Sequence, residues 1–430
     1  MATNIRNDSA NNIRAFSGIN NVDAHSTLQN GELTRGINID IDAKGKITRR
    51  QGYTKRYNGT NIHSLWSNES ITLFVEDGTL KQLNSDYSAD SIRTGVSRFG
   101  KVYYEDINGD VYYSDGKVTG VVKTDGSHAP MSTPIPTTRP VLTSTTGVLP
   151  AGRYGVVFTA VDSLGRESGA TFSTYIDLAD VGGINVQGLP VSHGESVTHY
   201  NIYCTTANGA VFYLSSAVAT GATYYEINTL PSTGHALRTQ FMDMMPAGTH
   251  LCQHGGRLFV AKDNVLYFSQ PFQYGLTNLF TDFIMMPSRI LMVISVEDSL
   301  YISDESNIYL LTGTDINQSQ MQMKAHYPAI EGTAVKLDQR VFGADGQNGL
   351  VAMWMSEAGL CAGLQGGSFR NLTETKYVPR VGDLANAMFR QQDGKNQYIG
   401  VSRTRDGEQN RIYTSDVAVA EVIRNGVILT

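Results

Sequence analysis

The chain has 430 residues, 41% apolar and only 17% charged, with 43 glycines, 22 tyrosines and a net charge of −6. It is too long for one ordinary core, and its low charge with abundant Gly and Tyr opposes long helices, so it reads as strands and tight turns in about two or three domains. No apolar run approaches the ~18 residues of a membrane span, residues 1–12 lack the apolar stretch of a signal peptide, and three widely spaced cysteines (Cys204, Cys252, Cys361) read as buried thiols from a reducing compartment.

The charge is uneven. Residues 1–60 carry nine Lys or Arg against five acids, which leaves −10 on the remainder. A basic leading segment on an acidic body is able to dock on an acidic partner or on nucleic acid, although such imbalance is also common on a solvated surface. The acidic body opposes sequence-specific duplex binding, which needs a clustered basic face.

Residues 1–30, rich in Asn, Ser and Asp, read as an extended arm ordered only by contact with something else. Alternation starts near Leu33, with Ile37, Ile39 and Ile41 on one face of a strand and Asn38, Asp40 and Asp42 on the other. Hairpins then recur at 72–84 (TLFVEDGTLKQLN), 101–116 (KVYYEDINGDVYYSDG), 257–270 (RLFVAKDNVLYFSQ) and 299–313 (SLYISDESNIYLLTG), with weaker versions at 352–367 and 396–416. Asp77-Gly78, Asn108-Gly109 and Asp115-Gly116 are expected to supply the positive φ of two-residue hairpin turns. A hairpin repeated at this spacing predicts an all-β chain built as a β-propeller.

The rhythm breaks near Ser127. Residues 128–150 hold five of the twelve prolines and read as a linker into a second kind of module. Strands are predicted at 154–161, 198–205 and 211–215, with Tyr200, Ile202 and Cys204 on one face. The expected organisation is an arm (1–30), a first part of the propeller (31–127), an inserted β-sandwich with its linker (128–246) and the rest of the propeller (247–430).

Motifs for chemistry are sparse. There is no GxGxxG opening a helix, no P-loop, no HExxH and no G-x-S-x-G. His250 and His254 have helical metal-ligand spacing, but they lie in a strand pattern beside Gly255-Gly256. The run 105–110 (EDINGD) imitates a calcium loop yet lacks the distal Glu, and it fits a hairpin turn better. Asp77, Glu105, Asp298 and Asp304 are candidate carboxylates for a propeller glycosidase if they converge. Sialidase-type repeats are not completed by either tryptophan, Trp66 or Trp354. Tyr103, Tyr104, Tyr112, Tyr113, Tyr267, Tyr301 and Tyr309 fit inter-sheet packing better than a sugar-stacking surface.

The leading segment carries a more specific signal. Gly18-Ile19-Asn20-Asn21, Leu28-Gln29-Asn30-Gly31-Glu32, Asn38-Ile39-Asp40-Ile41-Asp42, Gly45-Lys46-Ile47 and Arg49-Arg50-Gln51-Gly52-Tyr53 resemble the start of propeller-type tail proteins of tailed bacteriophages. The family is that of the tail hub or nozzle of short-tailed phages, which includes packaged-DNA stabilisation proteins; the similarity covers about residues 15–60. Gly152-Arg153-Tyr154, Thr159-Ala160-Val161-Asp162, Gly165-Arg166-Glu167-Ser168 and Tyr200-Asn201-Ile202-Tyr203 look like a fibronectin type III-like (immunoglobulin-class) module with its strands in a permuted or neighbouring order.

The resemblance implies a virion protein assembled in the host bacterial cytoplasm: a structural, non-enzymatic homo-oligomer, a hexameric ring below the portal and head-to-tail adaptor. Such a ring anchors tail fibres or spikes, retains the packaged DNA and later passes it through an acidic lumen without sequence-specific binding. It implies no catalytic, metal or cofactor residues. Two other readings stay open, a receptor-binding or fibre-attachment protein gripping a host glycan through the inserted sandwich, and a propeller glycosidase or lyase.

Overall fold

The computed structural model describes residues 15–190, 196–338, 349–379, 384–403, 418–424 and 427–429, apart from positions 37, 43, 51, 53, 69, 317, 393 and 394. Among the described residues there is no α-helix, only a 3-10 turn at Gln365–Gly367. The chain is all-β and of the β-propeller class, with six four-stranded antiparallel meanders among the described residues. It divides into two compact units, residues 57–286 and residues 1–56 with 287–430.

The unit 57–286 holds three meanders. The first is Ile62–Ser67, Thr72–Glu76, Thr79–Leu83 and Ala89–Thr94; the second is Tyr103–Ile107, Asp110–Ser114, Thr119–Val122 and His128–Ala129; the third is Thr249–His254, Arg257–Lys262, Val265–Phe268 and Phe283–Met285. Period-two alternation decides which neighbour each side chain meets. In the second meander Val111, Tyr113 and Val122 are buried against Leu73, Val75 and Leu80 of the first. The intervening Tyr112 and Val121, with Ile107, are buried against Leu251, Leu258 and Val260 of the third. One sheet is thus apolar on both faces, which is how blades stack.

The second unit repeats the device. Its meanders are Ile290–Val296, Ser299–Asp304, Ile308–Thr312 and Gln320–Ala325, then Val335–Asp338, Leu350–Ser356, Gly359–Leu364 and Phe369–Asn371, then Leu384–Gln392, Lys395–Arg403, Ala418–Arg424 and Val427–Leu429. Trp354 and Cys361 of the fifth meander pack with Met292, Ile294 and Tyr301 of the fourth. Met353, Met355 and Leu360 turn the other way, toward Ala385 and Tyr398 of the sixth. Of the hairpin expected at 396–416, the strand Lys395–Arg403 is present; it pairs with 384–392 and 418–421, and residues 404–417 lie outside those described.

Turn chemistry explains most of the hairpins. Asp77 and Gly78 have φ of 48° and 81°, and Asn108 and Gly109 have 56° and 89°, the paired left-handed conformation of a two-residue turn. Asp115-Gly116 departs from the expectation. Only Gly116 is left-handed, and the loop has four residues because Asp115 Oδ1 accepts the N–H groups of Lys117 (2.8 Å) and Val118 (2.6 Å). An Asx side chain replaces backbone bonding there.

Between the second and third meanders lie two more sheets. One contains Val141–Leu149, Gly182–Gln187 and Tyr224–Ile227; the other contains Thr174–Leu178, Gly152–Asp162, Val197–Thr205 and Phe212–Ala219. They share one core of Leu149, Tyr154, Phe158, Ile184, Ile202 and Cys204. The expected common face of Ile202 and Cys204 lies in that core, and Tyr200 is buried as well. All three cysteines are buried.

Candidate interaction surfaces and the leading segment

The described part of the expected arm, residues 15–30, is not an extended tail. It is folded against its own unit. Gly18–Ile19 pairs in parallel with Glu32–Leu33, Phe16 N–H donates to Gly45 O (2.9 Å), and Ser17 N–H donates to Gly31 O (2.9 Å). Asn20, 1% exposed, is the hub of the segment. Its Nδ2 donates to Asp23 Oδ2 (2.8 Å) and Glu32 Oε2 (3.0 Å), and its Oδ1 accepts the N–H groups of Val22 and Asp23. Asn21 exchanges side-chain bonds with the backbone of Val378, and Lys376 Nζ lies 3.1 Å from Glu32 Oε1. The Gln29 N–H and the Lys376 ammonium hold the Glu32 carboxyl below the usual carboxylate range.

The hairpin Ile39–Ile41 with Ile47–Arg49 follows the same economy. Asp40 pairs with Arg50 at 3.2 Å, and Asp42 Oδ1 caps the N–H groups of Lys44 and Lys46. Gly31 (φ 102°) and Gly45 (φ 76°) meet Ala15 so closely that a Cβ would lie 2.4 Å from its carbonyl oxygen or 2.6 Å from its Cβ. Most of the residues that carry the family resemblance therefore have a definite structural task. The expected partner Ile37 lies outside the described residues.

The candidate catalytic carboxylates are each engaged locally. Asp77 pairs with Arg98 (2.6 Å) and accepts from Asn61; Glu105 accepts the Gln253 N–H (2.9 Å). Asp298 accepts the Gly366 N–H (2.9 Å), and buried Asp304 accepts from Ser306, Asn307 and the Tyr309 hydroxyl. His250 lies against the Tyr103 ring with centroids 4.5 Å apart, whereas His254 meets the edge of Phe259. In the calcium-like run, Asp106 Oδ1 accepts the Gly109 N–H (2.8 Å) and Asp110 pairs with Lys123, a hairpin turn with its own bonds. Among the described residues no three His, Cys, Asp or Glu are grouped to hold a metal ion.

The tyrosines serve as packing. Tyr112, Tyr113 and Tyr301 are buried, and burial pushes each phenol up to about 12. Trp66 stacks on Tyr104, and Trp354 lies between Tyr301 and Phe369. A shallow depression in the two-sheet region between the second and third meanders is lined by Asn185, Gln187, Gly188, Thr223 and Tyr224. Sequence reasoning did not single out the solvent-facing phenylalanines of unit 57–286. Phe99, Phe172, Phe241, Phe272 and Phe280 are 79%, 74%, 72%, 77% and 89% exposed. Nothing in the sequence marks them, because a loop phenylalanine and a core phenylalanine look alike.

No protein-family model matches the chain, and no curated protein matches it. Solved structures with a similar fold include virginiamycin B lyase from Staphylococcus aureus (11% identity, TM-score 0.33, covering 79% of this chain and 91% of that one). Others are BBS1N in complex with ARL6DN (9%, 0.32, 80% and 90%) and apo AztD from Citrobacter koseri (12%, 0.25, 79% and 95%). Likeness this distant carries no argument about activity. No helix among the described residues is long and apolar enough to cross a membrane.

Proposed function

We propose that the chain is a structural subunit of a tailed bacteriophage, of the hub or nozzle type that sits below portal and adaptor and surrounds the exit path of the genome. The observation that carries this reading is the leading segment. Gly18, Asn20, Asn21, Gly31, Glu32, Asp40, Asp42, Gly45 and Arg50, which carry the resemblance to phage tail proteins, cooperate in one small hydrogen-bonded module. That these residues bond to one another supports reading the resemblance as a folding motif and not as polar composition alone. Stacked two-faced sheets supply the stiffness that a ring subunit needs, and the local engagement of Asp77, Glu105, Asp298 and Asp304 favours scaffolding over catalysis. The −10 balance outside residues 1–60 fits a wall from which DNA is repelled.

The test is genetic. Particles assembled without this chain should fill their heads and then lose DNA, and supplying the protein in trans should restore retention. Normal, infective particles lacking the chain would end the proposal.

A second reading, attachment to a host glycan, draws on two exposed aromatic–arginine pairs of the inserted module. Arg139 lies 4.6 Å above Phe172 and Arg153 lies 4.7 Å above Tyr175. Glycan-array binding by the whole chain, abolished by Tyr175→Ala, would favour it.

A further inference from the structure

Of the five phenylalanines of unit 57–286 that are more than 70% exposed, Phe99 stands apart, and Phe172, Phe241, Phe272 and Phe280 lie on segments that are hydrogen-bonded neighbours. The loop after Asp162 reaches Thr239 through Ala170 N–H (3.2 Å), and Gly169 approaches so near that a Cβ there would lie 2.0 Å from Met242 O. Asp243–Met244 then pairs with Leu276–Thr277, and Met245 N–H donates to Gly275 O (3.0 Å). Phe172 and Phe241 belong to the first pair of segments, Phe272 and Phe280 to the loop that contains the last. The same loop leads into Phe283–Met285, the outer strand of the third meander, where Met285 is 65% exposed.

The loop is braced in this conformation. Phe272 has φ 57°, an uncommon value for a bulky residue, and is held by its N–H on Gly256 O (2.8 Å) with its ring over Gly256. Asn278 Oδ1 caps the Phe280 N–H (3.0 Å), and Asp282 is occupied by Asn278 N–H and the Gln270 amide. A loop whose polar groups are internally satisfied and whose aromatic groups point to water loses little entropy on binding.

Area and charge then select the occupant. At roughly 200 Å² per aromatic side chain the four phenylalanines expose about 600 Å², the upper end of what a monomer leaves uncovered. Met244 and Met285 bring the strip near the ~800 Å² that one partner contributes to a standard interface. Arg139 covers Phe172, but around Phe241, Phe272 and Phe280 residues 239–246 and 270–286 contain no Lys or Arg and only two acids, Asp243 and Asp282, a poor lining for phosphate backbones. Interfaces this poor in charge are those of permanent homomeric complexes.

We infer that this strip, centred on Phe241, Phe272 and Phe280, is the contact through which copies of the chain associate. The inference deepens the ring-subunit reading and rests on it for its biological setting. Sedimentation of the purified full chain tests it. Wild type should exceed the 46.9 kDa monomer mass at micromolar concentration, and Phe241→Ser with Phe280→Ser should sediment as a monomer. Val181→Ser, at a 68% exposed site of the inserted module, should leave the mass of the wild type unchanged.

A benzophenone amino acid at position 280 of the otherwise native chain supplies a readout that needs no destabilising change, with a crosslinked dimer as the expected product. A monomeric wild type, a double variant of wild-type mass, or crosslinking that yields only monomer overturns the inference. Association through the strip by a chain absent from virions would refute the tail proposal alone. A monomeric chain found in tails would refute the inference alone.

Discussion

Asp162 fastens the sheet that contains Gly152–Asp162 to the chain leaving the second meander, and its removal gives the sharpest energetic prediction. The side chain is 1% exposed and accepts from Leu164 N–H (2.9 Å), Arg166 N–H (2.9 Å), Arg166 Nε (2.8 Å) and Thr133 Oγ1 (3.0 Å). Arg166 continues outward to the carbonyl oxygens of Pro130 (2.7 Å) and Met131 (3.1 Å), and Met131 is buried in the core shared by the second and third meanders. Asp162→Ala orphans two turn N–H groups at about 1 kcal/mol each and removes a half-buried charge partner, so the loss is about 3 to 4 kcal/mol. Asp162→Asn keeps the acceptor for the turn and should cost about 1 to 2 kcal/mol.

Urea unfolding of the three proteins, with amide exchange at 130–133 and 162–168, measures both. Burial opposes ionisation of Asp162, but bonds from Arg166 and Thr133 outweigh it and leave the carboxyl below its ordinary 3.8. A lowered folded-state value stabilises the protein above 3.8 and loses that contribution as pH falls through it. The difference between wild type and Asp162→Ala should therefore be flat from about pH 7 to 5 and shrink below about pH 4. An alanine variant within about 0.5 kcal/mol of wild type, or an asparagine variant equal to it, would refute the argument.

Other consequences can be measured directly. Asn20→Ala should destabilise the leading segment by about 1 to 3 kcal/mol and raise amide exchange across 18–33, with the inserted module unaffected. Trp354→Ala removes a fully buried side chain between the fourth and fifth meanders, and thermal unfolding should show a loss of about 3 to 5 kcal/mol. Burial pushes the Cys204 and Cys361 thiols up to about 12 and about 11, so a disulfide-exchange reagent should be inert toward both at neutral pH until denaturant is added.

The repeated hairpins were legible because their turns need left-handed residues, and Asp77-Gly78 and Asn108-Gly109 supply them. Period two made the tyrosines readable as packing, though not that Tyr112 and Tyr113 would serve different neighbours. Residues 15–30 differ from the expected extended arm for a physical reason. Asn and Asp count as solvent-seeking in a composition, yet Asn20 satisfies its amide inside the fold and becomes a core residue of its segment. Asp115-Gly116 misled because an Asx side chain is able to close a longer loop by itself. The solvent-facing phenylalanines lay beyond reach, since exposure is decided by which segments pair, and 243–244 pairs with 276–277 across 33 residues.

Electron microscopy of gradient-purified phage particles, with antibody raised against this chain, tests the central claim most directly. The account expects label at the tail, just below the junction with the head, on every filled particle. Particles free of label, with the protein recovered only from the soluble lysate, would contradict it.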